Sequence, residues 1–229
     1  LMLNHMGGAN VAASYTTSTL DLVFGGSYSY YRSPHWGTLS WVDGVEDVAG
    51  RWYDNDVVKH DGNLFARASW LAHEKVRLFA DLQYRYVSYK AWGVNDNFDW
   101  NTMQMQPIDV DNQYHFLNPH IGLSYEFDTR NSIFISAAIA QKEPTRSDFT
   151  DRYMFSDDDT QPKPEMLIDY EAGYNYSSKR FSLGLNLYYM QYKDQLIPTG
   201  MVNDSSDALN VNVPDSYRYG VEVAAAWDI

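Results

Sequence analysis

Residues 166–192, MLIDYEAGYNYSSKRFSLGLNLYYMQY, decide the fold. In the first arm Ile168, Tyr170, Ala172, Tyr174 and Tyr176 fall on one parity, and Asp169, Glu171, Gly173 and Asn175 on the other. After the polar break from Ser177 to Arg180, Phe181, Leu183, Leu185, Leu187 and Tyr189 alternate with Ser182, Gly184, Asn186 and Tyr188. Successive side chains of a strand point to opposite faces, so the stretch reads as a hairpin with one apolar face and one polar, partly charged face. Each arm offers roughly 9 to 11 residues, about what a tilted strand needs to cross a bilayer. A soluble sheet alternates equally well, so the rest of the chain must choose between the two.

The pattern recurs along the whole chain. Val11, Ala13, Tyr15 and Thr17 precede Leu20, Leu22, Phe24, Gly26, Tyr28 and Tyr30. Leu64, Ala66, Ala68, Trp70 and Ala72 precede Val76, Leu78, Ala80, Leu82, Tyr84 and Tyr86. Leu117, Pro119, Ile121, Leu123, Tyr125 and Phe127 precede Ile133, Ile135, Ala137 and Ile139, and a last row runs from Tyr217 to Trp227. The reading is all-β, with about nine strands at roughly 10–17, 20–31, 60–72, 76–89, 113–127, 131–142, 166–176, 180–193 and 215–228. Pro119 is discordant, because proline cannot donate to a ladder; it predicts a bulge or a strand margin.

Tight turns alternate with the long stretches 33–59, 90–112, 143–164 and 195–214, which lack sustained period two and are read as loops. These stretches hold most of the net charge of −13 and all of the seven tryptophans except Trp70 and Trp227. Short turns on one side and long loops on the other are the pattern of an outer-membrane β-barrel with its long loops extracellular, whereas loops of this length are uncommon in compact soluble domains. A mean hydropathy of −0.47 does not conflict, since only alternate residues of a barrel strand face lipid. No apolar run is long enough for a transmembrane helix, and residues 1–10 lack the features of a signal peptide. The negative charge argues against a nucleic-acid partner. The absence of cysteine excludes disulfides and thiolate metal sites. Bacterial single-chain barrels have even strand numbers, and an open sheet edge in lipid costs several kcal/mol per unpaired group. About nine strands therefore predict a segment of one larger barrel domain, residues 1–229 being part of it.

Hairpin two also predicts a register. A three-residue turn at His73 to Lys75 sets Ala72 opposite Val76, Trp70 opposite Leu78, Ser69 opposite Phe79 and Arg67 opposite Asp81.

Several motifs carry a family resemblance. The stretch Glu143-Pro144-Thr145-Arg146-Ser147-Asp148-Phe149, the later Gln161-Pro162-Lys163-Pro164-Glu165 and the following Tyr170-Glu171-Ala172-Gly173-Tyr174 together resemble the TonB-dependent outer-membrane receptor family. Phe24 to Tyr30, Asp81 to Arg85, Asn118-Pro119 with Gly122 to Tyr125, and Ser216 to Glu222 are similar to the same family. The resemblance implies a 22-stranded barrel around an N-terminal plug, in the outer membrane of a Gram-negative bacterium. It implies active uptake of a scarce nutrient: a siderophore, cobalamin or another metal complex. The implied partners are outer-membrane lipid, the protein's own plug domain, TonB with ExbB and ExbD acting through a segment not in this chain, and a surface lipoprotein over the loops. A passive porin or a structural, adhesive barrel is the alternative. Haem receptors of the family carry a histidine before the Lys-Pro-Glu stretch, and 144–164 has none.

No catalytic constellation emerges, and no histidine pair has metal-ligand spacing. Substrate or partner candidates are the loop aromatics Trp36, Trp41, Trp52, Tyr53, Trp92, Phe98, Trp100, Phe149 and Tyr153, which offer large contact area; packing over the barrel mouth explains them equally well. Arg67, Asp81, Arg85, Glu171, Arg218 and Glu222 are assigned to the lumen, as partners of the plug. No resident cofactor is expected. Asp54 with Asp56, Asp109 with Asp111, and Asp157, Asp158 and Asp159 are candidate calcium ligands, against the simpler reading of solvated loop charge.

Overall fold

The computed structural model describes residues 1–41, 43–44, 50–99, 102–150, 161–202 and 208–228. Ten strands run in chain order: β1 (His5–Thr16), β2 (Leu20–Arg32), β3 (His35–Thr38), β4 (Arg51–His73), β5 (Val76–Asp99), β6 (Gln104–Glu126), β7 (Asn131–Lys142), β8 (Glu165–Ser177), β9 (Phe181–Val202) and β10 (Ala208–Trp227), with one short helix, α1 (Arg146–Thr150). Strand neighbours in the sheet are also neighbours in sequence, all antiparallel, except that β3 pairs with the far end of β4 beyond β2.

Pairing carries one parity across the sheet without interruption. Asn10, Ser27 and Asn63 share a row, as do Arg67 and Asp81, Asp81 and His120, and Asn186 and Glu222. The opposite rows carry Val11, Phe24, Leu64, Leu82, Ile121, Ile135, Leu187 and Val221, each between 47% and 73% exposed. A sheet that presents its aliphatic side chains outward in unbroken rows is matched to hydrocarbon. At the tight-turn end Trp70, Phe127, Phe181 and Trp227 form the aromatic border, with Phe181 packed against Trp227 at 5.9 Å.

Side chains close the turns. Thr17 Oγ1 accepts from Leu20 N at 2.9 Å, and Ser178 Oγ accepts from Phe181 N at 3.1 Å. Asp128 Oδ1 accepts from Arg130 N at 2.8 Å and Asn131 N at 3.1 Å, and these bonds hold its carboxyl below the usual range. In hairpin two Arg67 pairs with Asp81, Nε donating to Oδ2 at 2.8 Å, and Trp70 with Leu78, as the sequence predicts. The turn itself is tighter than expected: His73, not Ala72, faces Val76. Ala72 is the extra residue of a bulge, and Glu74-Lys75 form a two-residue connection.

Pro119 lies inside β6, opposite Leu82 of β5, but the β6–β7 ladder stops beside it at His120. Beyond that point Asn118 Oδ1 accepts from Gln141 N at 3.1 Å, a side chain replacing the interrupted backbone ladder.

The strands outrun the sequence reading. Most of the expected loop 90–112 is ladder, from Lys90↔Asp111 to Asp99↔Gln104 with one irregularity, and β3 with the start of β4, and the ends of β9 and β10, fill much of 33–59 and 195–214. The hydrophobic alternation ends because lipid no longer imposes it, whereas the backbone still needs its hydrogen bonds. One position in this extension requires glycine. Gly93 has φ +117, and a Cβ there would lie 2.3 Å from Asp54 O.

Candidate functional site

On the inward face, the chain leaving β7 folds back as a strap. Pro144 ends the strand, and Thr145-Arg146-Ser147-Asp148 starts α1 as a capping box, with Asp148 Oδ2 accepting from Thr145 N and Thr145 Oγ1, both at 2.6 Å. Phe149 stacks on Tyr89 at 5.8 Å and joins Val57, Ala91 and Ile108 in a buried cluster. Gln106 Nε2 donates to Thr150 O at 2.7 Å, and Asn210 Nδ2 of β10 donates to Asp148 Oδ1 at 3.0 Å. One strap thus touches β4, β5, β6 and β10, which requires the sheet to curve with this face inside.

Charge anchors the strap at its root. Glu143 accepts from Lys59 Nζ at 2.6 Å and from Arg85 Nη1 and Nη2 at 2.9 Å each. Arg85 also forks onto Asp61, Nε to Oδ1 at 3.0 Å and Nη2 to Oδ2 at 2.6 Å. Two cations and two carboxylates therefore balance in a partly buried cluster. Burial would raise the Glu143 carboxyl, but the bonds from Lys59 and Arg85 outweigh it and hold it low.

Arg146 anchors the other end, donating through Nη2 to Asn55 Oδ1 at 2.8 Å and through Nη1 to His35 Nδ1. An arginine cannot accept, so His35 is neutral with its proton on Nε2, which donates to Ser33 Oγ at 2.8 Å. Burial first, then the Arg146 charge, lower the His35 pKa. Ser33 and His35 make no nucleophilic pair. A base needs its second nitrogen held by a carboxylate, and here an arginine occupies it.

The sequence candidates separate accordingly. Phe149 is packed inside the strap. Trp36 and Trp92 fall by pairing on the outward rows, Trp36 opposite Asp54 and Trp92 between Asp56 and Asp109. Trp36 is covered by the Arg51 guanidinium at 4.5 Å. Tyr53 lies on the inward parity with its ring edge against Trp52 at 4.9 Å, Phe98 pairs with Met105, and Trp41 is exposed. Trp100, Tyr153, Asp157, Asp158 and Asp159 lie outside the described residues.

Arg67, Asp81, Arg85, Glu171, Arg218 and Glu222 all fall on the inward rows, with Arg218 over the Tyr192 ring at 5.1 Å. Asp54, Asp56, Asp109 and Asp111 are on the outward parity. Asp54 binds Arg51, Asp56 binds Arg32, and Asp111 binds Lys90 at 2.6 Å. Among the described residues no group of three or more His, Cys, Asp or Glu is placed to hold a metal ion. The strap's polar anchors Lys59, Asp61, Glu143, Arg146 and Asp148 were not singled out as site residues. The sequence marks Glu143 to Phe149 only as a family motif, and nothing in it links these residues to Lys59 and Asp61.

The family model described as "TonB dependent receptor-like, beta-barrel" matches residues 4–229. The fold is similar to that of the copper transporter OprC, with a TM-score of 0.76 at 15% identity, over 100% of this chain and 35% of that one. The FrpB iron transporter from Neisseria meningitidis gives 0.66 at 16%, over 100% and 34%. The ferric yersiniabactin uptake receptor FyuA from Yersinia pestis gives 0.66 at 14%, over 99% and 33%. The chain spans about a third of the length of these solved proteins. No curated protein matches by sequence.

Proposed function

The chain belongs to the TonB-dependent receptor β-barrel family, and from that premise we propose that it is wall and strap of a receptor that actively imports a scarce nutrient, a siderophore, cobalamin or other metal complex, across the outer membrane. Members of the family are outer-membrane proteins of Gram-negative bacteria and act as receptors or transporters rather than enzymes. The strand ends opposite the tight turns, with the strap, face the exterior. TonB with ExbB and ExbD, the protein's own plug and a surface lipoprotein over the outer ends are its partners in this reading. The neighbours named for copper, iron and yersiniabactin support the cargo class only by their fold.

The observation that carries the reading is the character of the inward face. It is charged, crossed by a strap, and leaves Asp169 Oδ1 and Asn186 Oδ1 buried without a partner. Inward rows that carry Arg67, Asp81, Arg85, Glu171, Arg218 and Glu222 and are crossed by an anchored strap suit a wall built around a polar body such as a plug, whereas an open water channel needs no such strap. The test expresses the full-length gene product in a strain lacking its own receptors and measures uptake of labelled ferric siderophores, cobalamin and copper complexes. Accumulation that needs energised TonB supports the reading; equal entry without TonB supports the passive porin instead.

A further inference from the structure

Two matched Tyr–His pairs stand on the outward face. Tyr28 Oη bonds His60 Nδ1 at 2.7 Å, with Tyr30 beside the ring at 5.2 Å. Tyr84 Oη bonds His115 Nδ1 at 2.6 Å, with Tyr86 at 5.1 Å. Both tyrosines reach diagonally across the ladder, since His60 pairs with Tyr30 and His115 with Tyr86. The first pair has room because Gly62 stands opposite Tyr28.

Their depth can be worked out. Ten residues of β4 separate His60 from Trp70 at the opposite border. At about 3.3 Å per residue and a tilt near 40° that is roughly 25 Å, the height of the apolar band of an outer-membrane barrel. Above this level the outward rows change character. The next row reads Arg32, Val58, Lys90 and Asp111 across β2, β4, β5 and β6. His60 therefore sits one step below Val58, with Arg32 and Lys90 at its two upper diagonals. His115 has no such flanking cations; the residues above it are Ser88 and Gln113.

Donor capacity remains at His60. In a neutral pair one proton makes the Tyr28–His60 bond and one is left, on Nε2 or on the tyrosine oxygen according to tautomer. Arg32 gives Nε and Nη2 to Asp56, leaving Nη1 without a partner among the described residues, and Lys90 gives one of its three protons to Asp111. Both side chains are about half exposed, at 51% and 52%.

We propose that Tyr28, His60, Arg32 and Lys90 form a binding site for the phosphate group of an outer-leaflet lipid. The inference rests on the reading that this end of the wall faces the exterior. The Tyr–His pair supplies one hydrogen bond at the level of the glycerol or sugar backbone, and the two cations close on the phosphate from above. Their present carboxylate partners lie beyond the site, Asp56 one step above Val58 on β4 and Asp111 across from Lys90 on β6, so the two half-exposed cations turn toward the phosphate on binding and share it with these partners. The pair at Tyr84 and His115 lacks the cations and is an interfacial anchor only.

The test uses the full-length protein in detergent micelles. Native mass spectrometry follows titration with diphosphorylated lipid A and with the same lipid dephosphorylated. The wild type should prefer the phosphorylated form by tenfold or more, and the combined His60→Phe, Arg32→Gln and Lys90→Gln variant should lose that preference. His115→Phe should keep it. Unchanged preference in the triple variant, equal binding of both lipids by the wild type, or equal loss in His115→Phe would overturn the proposal. Heat-modifiable migration on gels verifies that each variant is a folded barrel, and the double variant Arg32→Gln, Lys90→Gln serves if the triple variant is not. Displacement by inorganic phosphate at equal concentration would mean a free-anion site and also overturn it. A protein that stays monodisperse without detergent would instead remove the membrane premise.

Discussion

Replacing Glu143 with Gln should release the strap without disturbing the wall. Glu143 is 8% exposed and receives three charge-assisted bonds, one from Lys59 and two from Arg85. Glutamine keeps the shape and one acceptor oxygen but leaves two cations facing the single charge of Asp61. Removing one member of a buried ion pair costs about 3–5 kcal/mol. Lys59, Arg85 and Asp61 keep 30%, 22% and 21% of their side-chain exposure, so water recovers part of this and about 2–3 kcal/mol is the expected loss. The wall retains its ladder, so the loss falls on local opening of the strap. At 1.36 kcal/mol per decade, amides of residues 145–150 should lose protection by roughly 30- to 150-fold. Hydrogen exchange read by mass spectrometry on the full-length protein measures this peptide by peptide. Strands β4 and β5 should exchange as in the wild type. Adding Lys59→Met should restore part of the protection, because the unpaired cation is then gone. Unchanged exchange in Glu143→Gln, or loss spread equally over β4 and β5, would refute the anchoring role.

Acid should loosen the other anchor. The His35 pKa is lowered in the fold, so its contribution is complete above the ordinary histidine value and is lost as pH falls through the lowered one; strap exchange should rise as pH falls below the ordinary histidine value, and His35→Gln should flatten that dependence. Leu82→Arg places a charge against hydrocarbon and should cost about 2–4 kcal/mol near the midplane, whereas Ser124→Arg points inward and should cost little, read by refolding into vesicles. Asp81→Asn should cost less than about 1 kcal/mol in the same assay, since Arg67 is 65% exposed. Gly93→Ala should cost several times more, because its Cβ would meet Asp54 O at 2.3 Å in a left-handed backbone.

What the sequence disclosed and what it hid follow from where lipid acts. Between Trp70 and His60, or Trp227 and Tyr217, every second side chain meets hydrocarbon, so period two is enforced and strand, parity and register can be read directly. The Arg67–Asp81 pairing was legible for that reason, while the Ala72 bulge was not, because both turns keep the same inner register. Past the membrane border the rule lapses. Val57, Ala91 and Ile108 pack inward while Asp56, Lys90 and Asp109 stand on the outward rows, and the ladder continues through sequence that looks like loop. The strap was visible only as a motif. Its partners Lys59 and Arg85, on the consecutive strands β4 and β5, and Asn210, on β10, all lie far along the chain from residues 143–148, and no local pattern links them.

The central claim is that one face of this sheet meets lipid and the other does not. Nitroxide scanning along β5 tests it most directly, with labels placed one at a time from residue 78 to residue 85 in the full-length protein reconstituted in vesicles. Labels at Leu78, Ala80, Leu82 and Tyr84 should collide with oxygen, which concentrates in hydrocarbon, and those at Phe79, Asp81, Gln83 and Arg85 should not. A period-two oscillation with these maxima is the predicted result; a flat profile, or maxima on the odd positions, would contradict the account.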